Sequence, residues 1–148
     1  MGFKFSLEAV LKHRKRLEDE AHVIFAEAQA RLTEAKEILQ SYYNSIDQNR
    51  EDISRLQASN QKNAVPLILE KESFISGQGL RIEQHRKLMR QLIQDLEEKQ
   101  EAYLLALRER KTLEKLKEKR KREFDMEVAR REALELDEIA TIRAGGRR

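Results

Sequence analysis

Ile68, Ile75, Ile82, Met89, Leu96 and Tyr103 stand seven residues apart without a break, and Leu92, Ile93, Ala106 and Leu107 lie three or four residues further on. This is the a/d seam of a coiled coil. A stripe so narrow cannot enclose a cofactor, but it has the width to lie against one partner helix, so the fold requires a second helix of the same period. The chain supplies one upstream. Leu7, Arg14, Ala21, Ala28, Ala35, Tyr42, Asn49 and Leu56 recur at seven, joined first by Val10, Leu17 and Ile24 at plus three, then by Leu32, Leu39, Ile46 and Ile53 at plus four. The change of offset predicts a stripe that drifts around the helix, as a 3.6-residue turn does against a strict heptad.

Local signals set the boundaries. Ser6 followed by Leu7, Glu8 and Ala9 reads as an N-cap with an acid in the first turn, so helix one is expected over about 6–58. Ser59, Asn60 and Asn63 fall in a polar gap at about 59–65, and Pro66 suits a helix's first turn, so helix two is expected over about 66–142. Gly77 and Gly79 weaken a helix, yet Ile68, Ile75 and Ile82 keep phase through them, which favours a soft spot over a loop. Gly145 and Gly146 end the order, leaving residues 143–148 as a disordered tail. The short turn makes the helices antiparallel, places Leu7 beside about residues 117–119, and lets helix two outlast helix one by roughly twenty residues at equal rise. The fold expected is therefore all-α: a single coiled-coil rod of two long antiparallel helices, the second longer than the first. Its overhang would expose Phe124, Val128, Leu134, Leu136, Ile139 and Ile142, apolar surface of the kind that marks a protein interface.

Composition agrees with this frame and removes other function classes. With 39% charged residues, one Pro and no Trp, the chain has the make-up of long helices with thin seams. No Cys is present, so thiol catalysis, thiolate metal sites and disulfides are excluded. The longest apolar run, residues 64–69, is too short for a bilayer, which points to the cytoplasm. Met1, Gly2 and Ser6 match a myristoylation pattern too short to carry lipidation by itself. His13, His22 and His85 form no metal-binding helix motif, and Asp19 with His22 is a single i, i+3 pair where a di-metal bundle needs two. No catalytic, cofactor or metal residue emerges and no small-molecule substrate is implied, so function must lie in surfaces.

Charge offers one such surface. The net charge is +3, but residues 108–123 carry nine Lys or Arg against four Glu, and a smaller basic knot spans residues 12–16. One reading has Glu109, Glu114, Glu118 and Glu123 pairing locally at three or four spacing. Another has an electropositive ring facing an acidic partner. A third, nucleic acid, lacks interleaved aromatics or a reading head.

The opening run Phe3, Lys4, Phe5, Ser6, Leu7, Glu8, Ala9, Val10 and Leu11, then the basic residues 12–16 and an Ala-rich continuation, resembles the start of the flagellar export protein FliJ family. The charged third quarter ending in Phe124 and the acidic-apolar finish at 134–142 are similar as well, so the likeness covers nearly the whole chain. It implies a non-enzymatic component of the bacterial flagellar type III export apparatus, similar to the central stalk of rotary ATP synthases. Family members bind the central hole of the export ATPase ring, FliI, and engage the export gate protein FlhA and export chaperones. The resemblance implies a cytoplasmic protein peripherally associated with the inner-membrane apparatus, with no nucleic acid partner. The ring-binding tip would draw on Phe3, Phe5, Leu7, Val10, Leu11, Arg14, Phe124, Val128, Arg131, Leu134 and Ile139, and the gate-binding patch on Tyr42, Phe74 and His85. Two readings from other classes stand beside it, a generic coiled-coil tether and an RNA-binding coiled-coil arm. Self-association through the overhang is compatible with the sequence and not required by it.

Overall fold

The computed structural model describes residues 2–146. Its regular structure is two helices, α1 (Glu8–Ala58, 51 residues) and α2 (Ala64–Gly146, 83 residues), which pack against each other with no strand among the described residues.

The ends differ from expectation in instructive ways. α1 begins two residues later than residue 6, with the Glu8 amide donating to the Phe5 carbonyl at 3.2 Å and that of Leu11 to Leu7 at 2.9 Å. The Ser6 hydroxyl instead accepts from Arg120 at 3.0 Å. α1 closes where the Ser59 amide and hydroxyl both donate to the Leu56 carbonyl, satisfying an acceptor that the helix itself leaves open. α2 begins at Ala64, so Pro66 is its third residue and not its first. A proline is equally tolerated there, because no amide of the first turn has an intrahelical acceptor. At the other end α2 runs to Gly146, past the expected stop at 142, and the glycines show no positive φ that would form a left-handed cap. Residues 143–146 are thus helix and not tail, while Arg147 and Arg148 lie outside the described residues.

Gly77 and Gly79 sit within continuous helix, and a Cβ added at either would meet nothing within 4 Å. With helical backbone and open space, replacement removes unfolded-chain freedom at no steric cost. Gly77→Ala and Gly79→Ala should each raise the unfolding free energy by about 0.5–1 kcal/mol in chemical denaturation followed by helicity.

Contacts divide the chain into two compact units. In the first, Ala21–Tyr103, partners ascend along α1 as they descend along α2: Phe25 stacks on Tyr103, Tyr42 meets His85, Ser45 meets Gln78, and Asp52 meets Lys71. The pairing is antiparallel. Ala28, Leu32, Ala35, Ile46 and Ile82 are its buried apolar residues. The second unit joins the described residues up to Glu20 with those from Leu104 onward. Here Ser6 meets Arg120, Glu8 meets Lys117, and Arg14 meets Glu109, bracketing the placement expected for Leu7.

The seam of α1 keeps one offset throughout, which overturns the expected drift. Leu11 is 1% exposed, whereas of the plus-three residues Val10 and Ile24 are 41% and 46% exposed and Leu17 is half-buried. Leu11, Glu18 and Phe25 at plus four face the partner, through burial, an ion pair with Arg110 and stacking on Tyr103 respectively. A strict heptad follows.

Candidate functional site

Within Ala21–Tyr103, the second seam position of α2 falls on Lys71, Gln78 and His85, spaced at seven, where a coiled coil usually places Leu. Each polar group is satisfied. Lys71 Nζ reaches Asp52 Oδ2 at 3.2 Å, and this hydrogen bond is the main reason the Asp52 carboxyl is held below its usual range. Gln78, 5% exposed, donates Nε2 to Ser45 Oγ at 2.7 Å and accepts from Arg81 at 2.9 Å. His85 Nε2 lies 2.6 Å from the Ala35 carbonyl, with Tyr42 edge-on to its ring at 5.7 Å. Beside it Arg86 bonds the Tyr43 hydroxyl and lies over that ring. Phe74, the third residue assigned to the mid-chain patch, is exposed, while Tyr42 and His85 are half-buried against each other. The structure brings Tyr42 and His85 together and records no ring contact between Phe74 and either. The polar series escapes a search for apolar repeats; its signal is the seven-residue recurrence of long polar side chains.

The second unit holds the residues assigned to the tip. Phe3 packs on Phe124 with ring centroids 5.7 Å apart, and Phe5 is buried beneath the Arg120 guanidinium at 5.7 Å. The N-terminal strap is thus clasped onto α2. Leu11 is buried too, so Phe3, Phe5, Leu11 and Phe124 serve this unit's own packing, and Leu7 is half-buried alongside them. Arg14 is engaged by Glu109, and Arg131 by Glu127 on its own helix. Arg110 is the hub of the charged ladder: it grips Glu18 with two nitrogens and reaches Glu114 at 2.6 Å. The Glu18 hydrogen bond, followed by partial burial acting the other way, holds its pKa above the ordinary guanidinium value. Lys117 bonds Glu8 at 2.8 Å and chiefly for that reason keeps that carboxyl below its usual range.

Beyond Phe124, residues 125–146 of α2 make no hydrogen bond, ion pair or ring contact with α1 among the described residues. Val128 is half-buried, Leu134 and Ile139 are 50% and 48% exposed, and Leu136 and Ile142 are more exposed still. The Arg130 and Arg131 side chains fold back on Glu127, whose carboxyl is held low mainly by Arg130. Leu134, Asp137, Glu138, Thr141 and Ile142 line a shallow surface groove here.

Among the described residues no group of three or more His, Asp or Glu side chains could hold a metal ion. His22, one half of the i, i+3 pair, packs edge-on to Tyr103 at 5.2 Å. Among the described residues no helix is long and apolar enough to cross a membrane. What the arrangement offers chemically is surface: an unpartnered acidic-apolar helix end and a polar-aromatic patch. Compared with known proteins, the chain matches a family model described as Flagellar FliJ protein over residues 3–148. No curated protein and no solved structure matches it.

Proposed function

The chain belongs to the FliJ family, components of the flagellar export apparatus, and from that premise we propose that it is the non-enzymatic coiled-coil stalk of the export ATPase. In this reading the free end of α2 enters the central hole of the FliI ring, promotes ring assembly and activity, and connects the ring to the export gate protein FlhA and to export chaperones. The protein acts in the cytoplasm, peripherally associated with the inner-membrane apparatus.

The observation that carries the proposal is the unpartnered stretch 125–146, with Leu134, Leu136, Ile139 and Ile142 exposed on an acidic helix. Exposed apolar surface on such a helix is stabilised by covering it, and a ring's pore can do so from all sides at once. A ligand that binds only the assembled ring shifts the assembly equilibrium, so turnover can rise without any catalytic group on the stalk. The Tyr42–His85 ring pair and the exposed Phe74 elsewhere on the same unit support the gate-binding part of the reading.

Leu134→Asp with Ile139→Asp tests the tip directly, because neither side chain is needed for packing within the chain. Burying each residue contributes about 1.5–3 kcal/mol, so the concentration for half-maximal ATPase stimulation should rise at least about tenfold while helicity stays unchanged. Unchanged stimulation would mean that this end is not in the pore. No stimulation by the unmodified chain at any ratio would leave a tether.

A further inference from the structure

We propose that one edge of the first unit, Ala21–Tyr103, packs against the same edge of a second copy of this chain, with the two copies antiparallel. This goes beyond the proposed function and needs none of its partners.

The two edges of this unit are unlike. The Tyr43–Arg86 contact marks one, while Ser45–Gln78 and Asp52–Lys71 mark the other. Residues that flank the seam of a two-helix coiled coil are usually charged. The Tyr43 edge keeps to this: its heptad positions hold Gln29, Lys36 and Arg50 on α1 and Glu72, Arg86 and Gln100 on α2, with Ile93 the apolar exception. The Ser45 edge departs from it. On α1 the position of Ser45 recurs at Ile38, Arg31 and Ile24. On α2 the residues four before Lys71 and Gln78 are Leu67 and Phe74, and the series continues at seven through Arg81, Leu88, Asp95 and Ala102. Ile24, Ile38, Leu67, Phe74 and Leu88 are all exposed, so this edge carries apolar surface along its length.

The charges within the α2 series say what covers it. In a two-fold pair whose axis crosses at Leu88, residues equally far before and after Leu88 meet, and each contact is made twice. Arg81 and Asp95 lie seven residues to either side, so each Arg81 faces Asp95 of the second copy. Phe74 and Ala102 lie fourteen to either side, a large ring against a methyl group. Leu88 meets itself. The matched stretch from Phe74 to Ala102 is about 42 Å long at 1.5 Å per residue. Both charges are available: Arg81 bonds Gln78 and makes no ion pair among the described residues, and Asp95 reaches Lys99 only at 3.8 Å.

The same axis serves α1. With Ser45 beside Gln78 and Phe25 beside Tyr103, Ile38 stands level with Leu88. Ile38 then meets Ile38, Arg31 meets Ser45, and Ile24 meets Asp52, whose charge Lys71 already holds. No like charges are opposed at these positions. A parallel pair fits less well, because it sets α1 against α2 at equal level, which puts Phe74 on Asp52 and Glu27 opposite Glu98 at the flanks.

Sedimentation equilibrium of the full chain tests the proposal, with a species of twice 17.5 kDa expected as concentration rises. Leu88→Asp places two carboxylates on the axis and should weaken association at least about a hundredfold with helicity retained. Arg81→Asp and Asp95→Arg should each weaken it at least about tenfold, and the two together should restore it. The chain has no Cys, so introduced thiols report the register. Under mild oxidation Leu88→Cys should give a disulfide-linked dimer and Ile93→Cys, on the opposite edge, should not. A chain that is monomeric at every concentration, indifference to Leu88→Asp, failure of the charge exchange to restore association, or equal linkage through Ile93→Cys would overturn the proposal. So would a monomeric chain in which Leu88→Asp abolishes binding of the gate protein, which would give this edge to that partner. ATPase stimulation retained by the monomeric Leu88→Asp chain separates this inference from the proposed function.

Discussion

Leu11→Ala is expected to lower the unfolding free energy by about 2–4 kcal/mol, read as the shift of a denaturation midpoint at unchanged slope. Leu11 is the most completely buried large side chain among the described residues, and a thin two-helix seam has no second layer to close over the cavity. Its neighbour supplies the control. Val10 is 41% exposed, so Val10→Ala should change stability by no more than about 0.5 kcal/mol. If the two substitutions proved equal, the plus-three offset would be the true seam.

The second large effect concerns Arg110. Its side chain is 18% exposed and that of Glu18 is 14%, so solvent screens this pair far less than an ordinary surface bridge. Glu18→Ala should cost about 2 kcal/mol, since it strands a partly buried cation that keeps only Glu114. Glu18→Leu combined with Arg110→Leu should recover most or all of that loss, because well-packed apolar residues replace two desolvated charges. A double variant as unstable as the single one would show that the pair is worth more than its packing volume. The same experiment bears on specificity: if the leucine pair associates into larger species, the ions serve to prevent wrong pairings.

Much of the fold was legible because a seam is a one-dimensional pattern. The apolar series from Ile68 to Tyr103 lies on the packed side of α2, with Ile82 buried, and the antiparallel register follows from the turn's position. Offsets on α1 were harder to read. Val10, Leu17 and Ile24 are as apolar as Leu11 and Phe25, and the charge of Glu18 hides the correct offset until its partner Arg110 is seen across the interface. Sequence pattern ranks positions by hydrophobicity, whereas the structure also buries groups that are satisfied. The same blindness concealed Lys71 and Gln78, whereas His85 was singled out through the family resemblance. For the candidate sites, the free end was legible from unequal helix lengths, but which tip residues are engaged was not: Phe3, Phe5 and Phe124 close upon their own chain through side-chain contacts more than a hundred residues apart.

The satisfied polar series of α2 has a mechanical corollary. If the helices of the first unit slid past each other by one heptad, Lys71 would stand where Gln78 now meets Ser45, and Gln78 where His85 now meets the Ala35 carbonyl. Asp52 would lose its lysine, and each displaced group left without a counterpart would cost about 1–3 kcal/mol. A heptad slip is therefore opposed at Asp52, which loses its lysine, and at His85, which leaves the Ala35 carbonyl. A load applied to one helix of that unit passes to the other as a joint displacement, with no ratchet step between them.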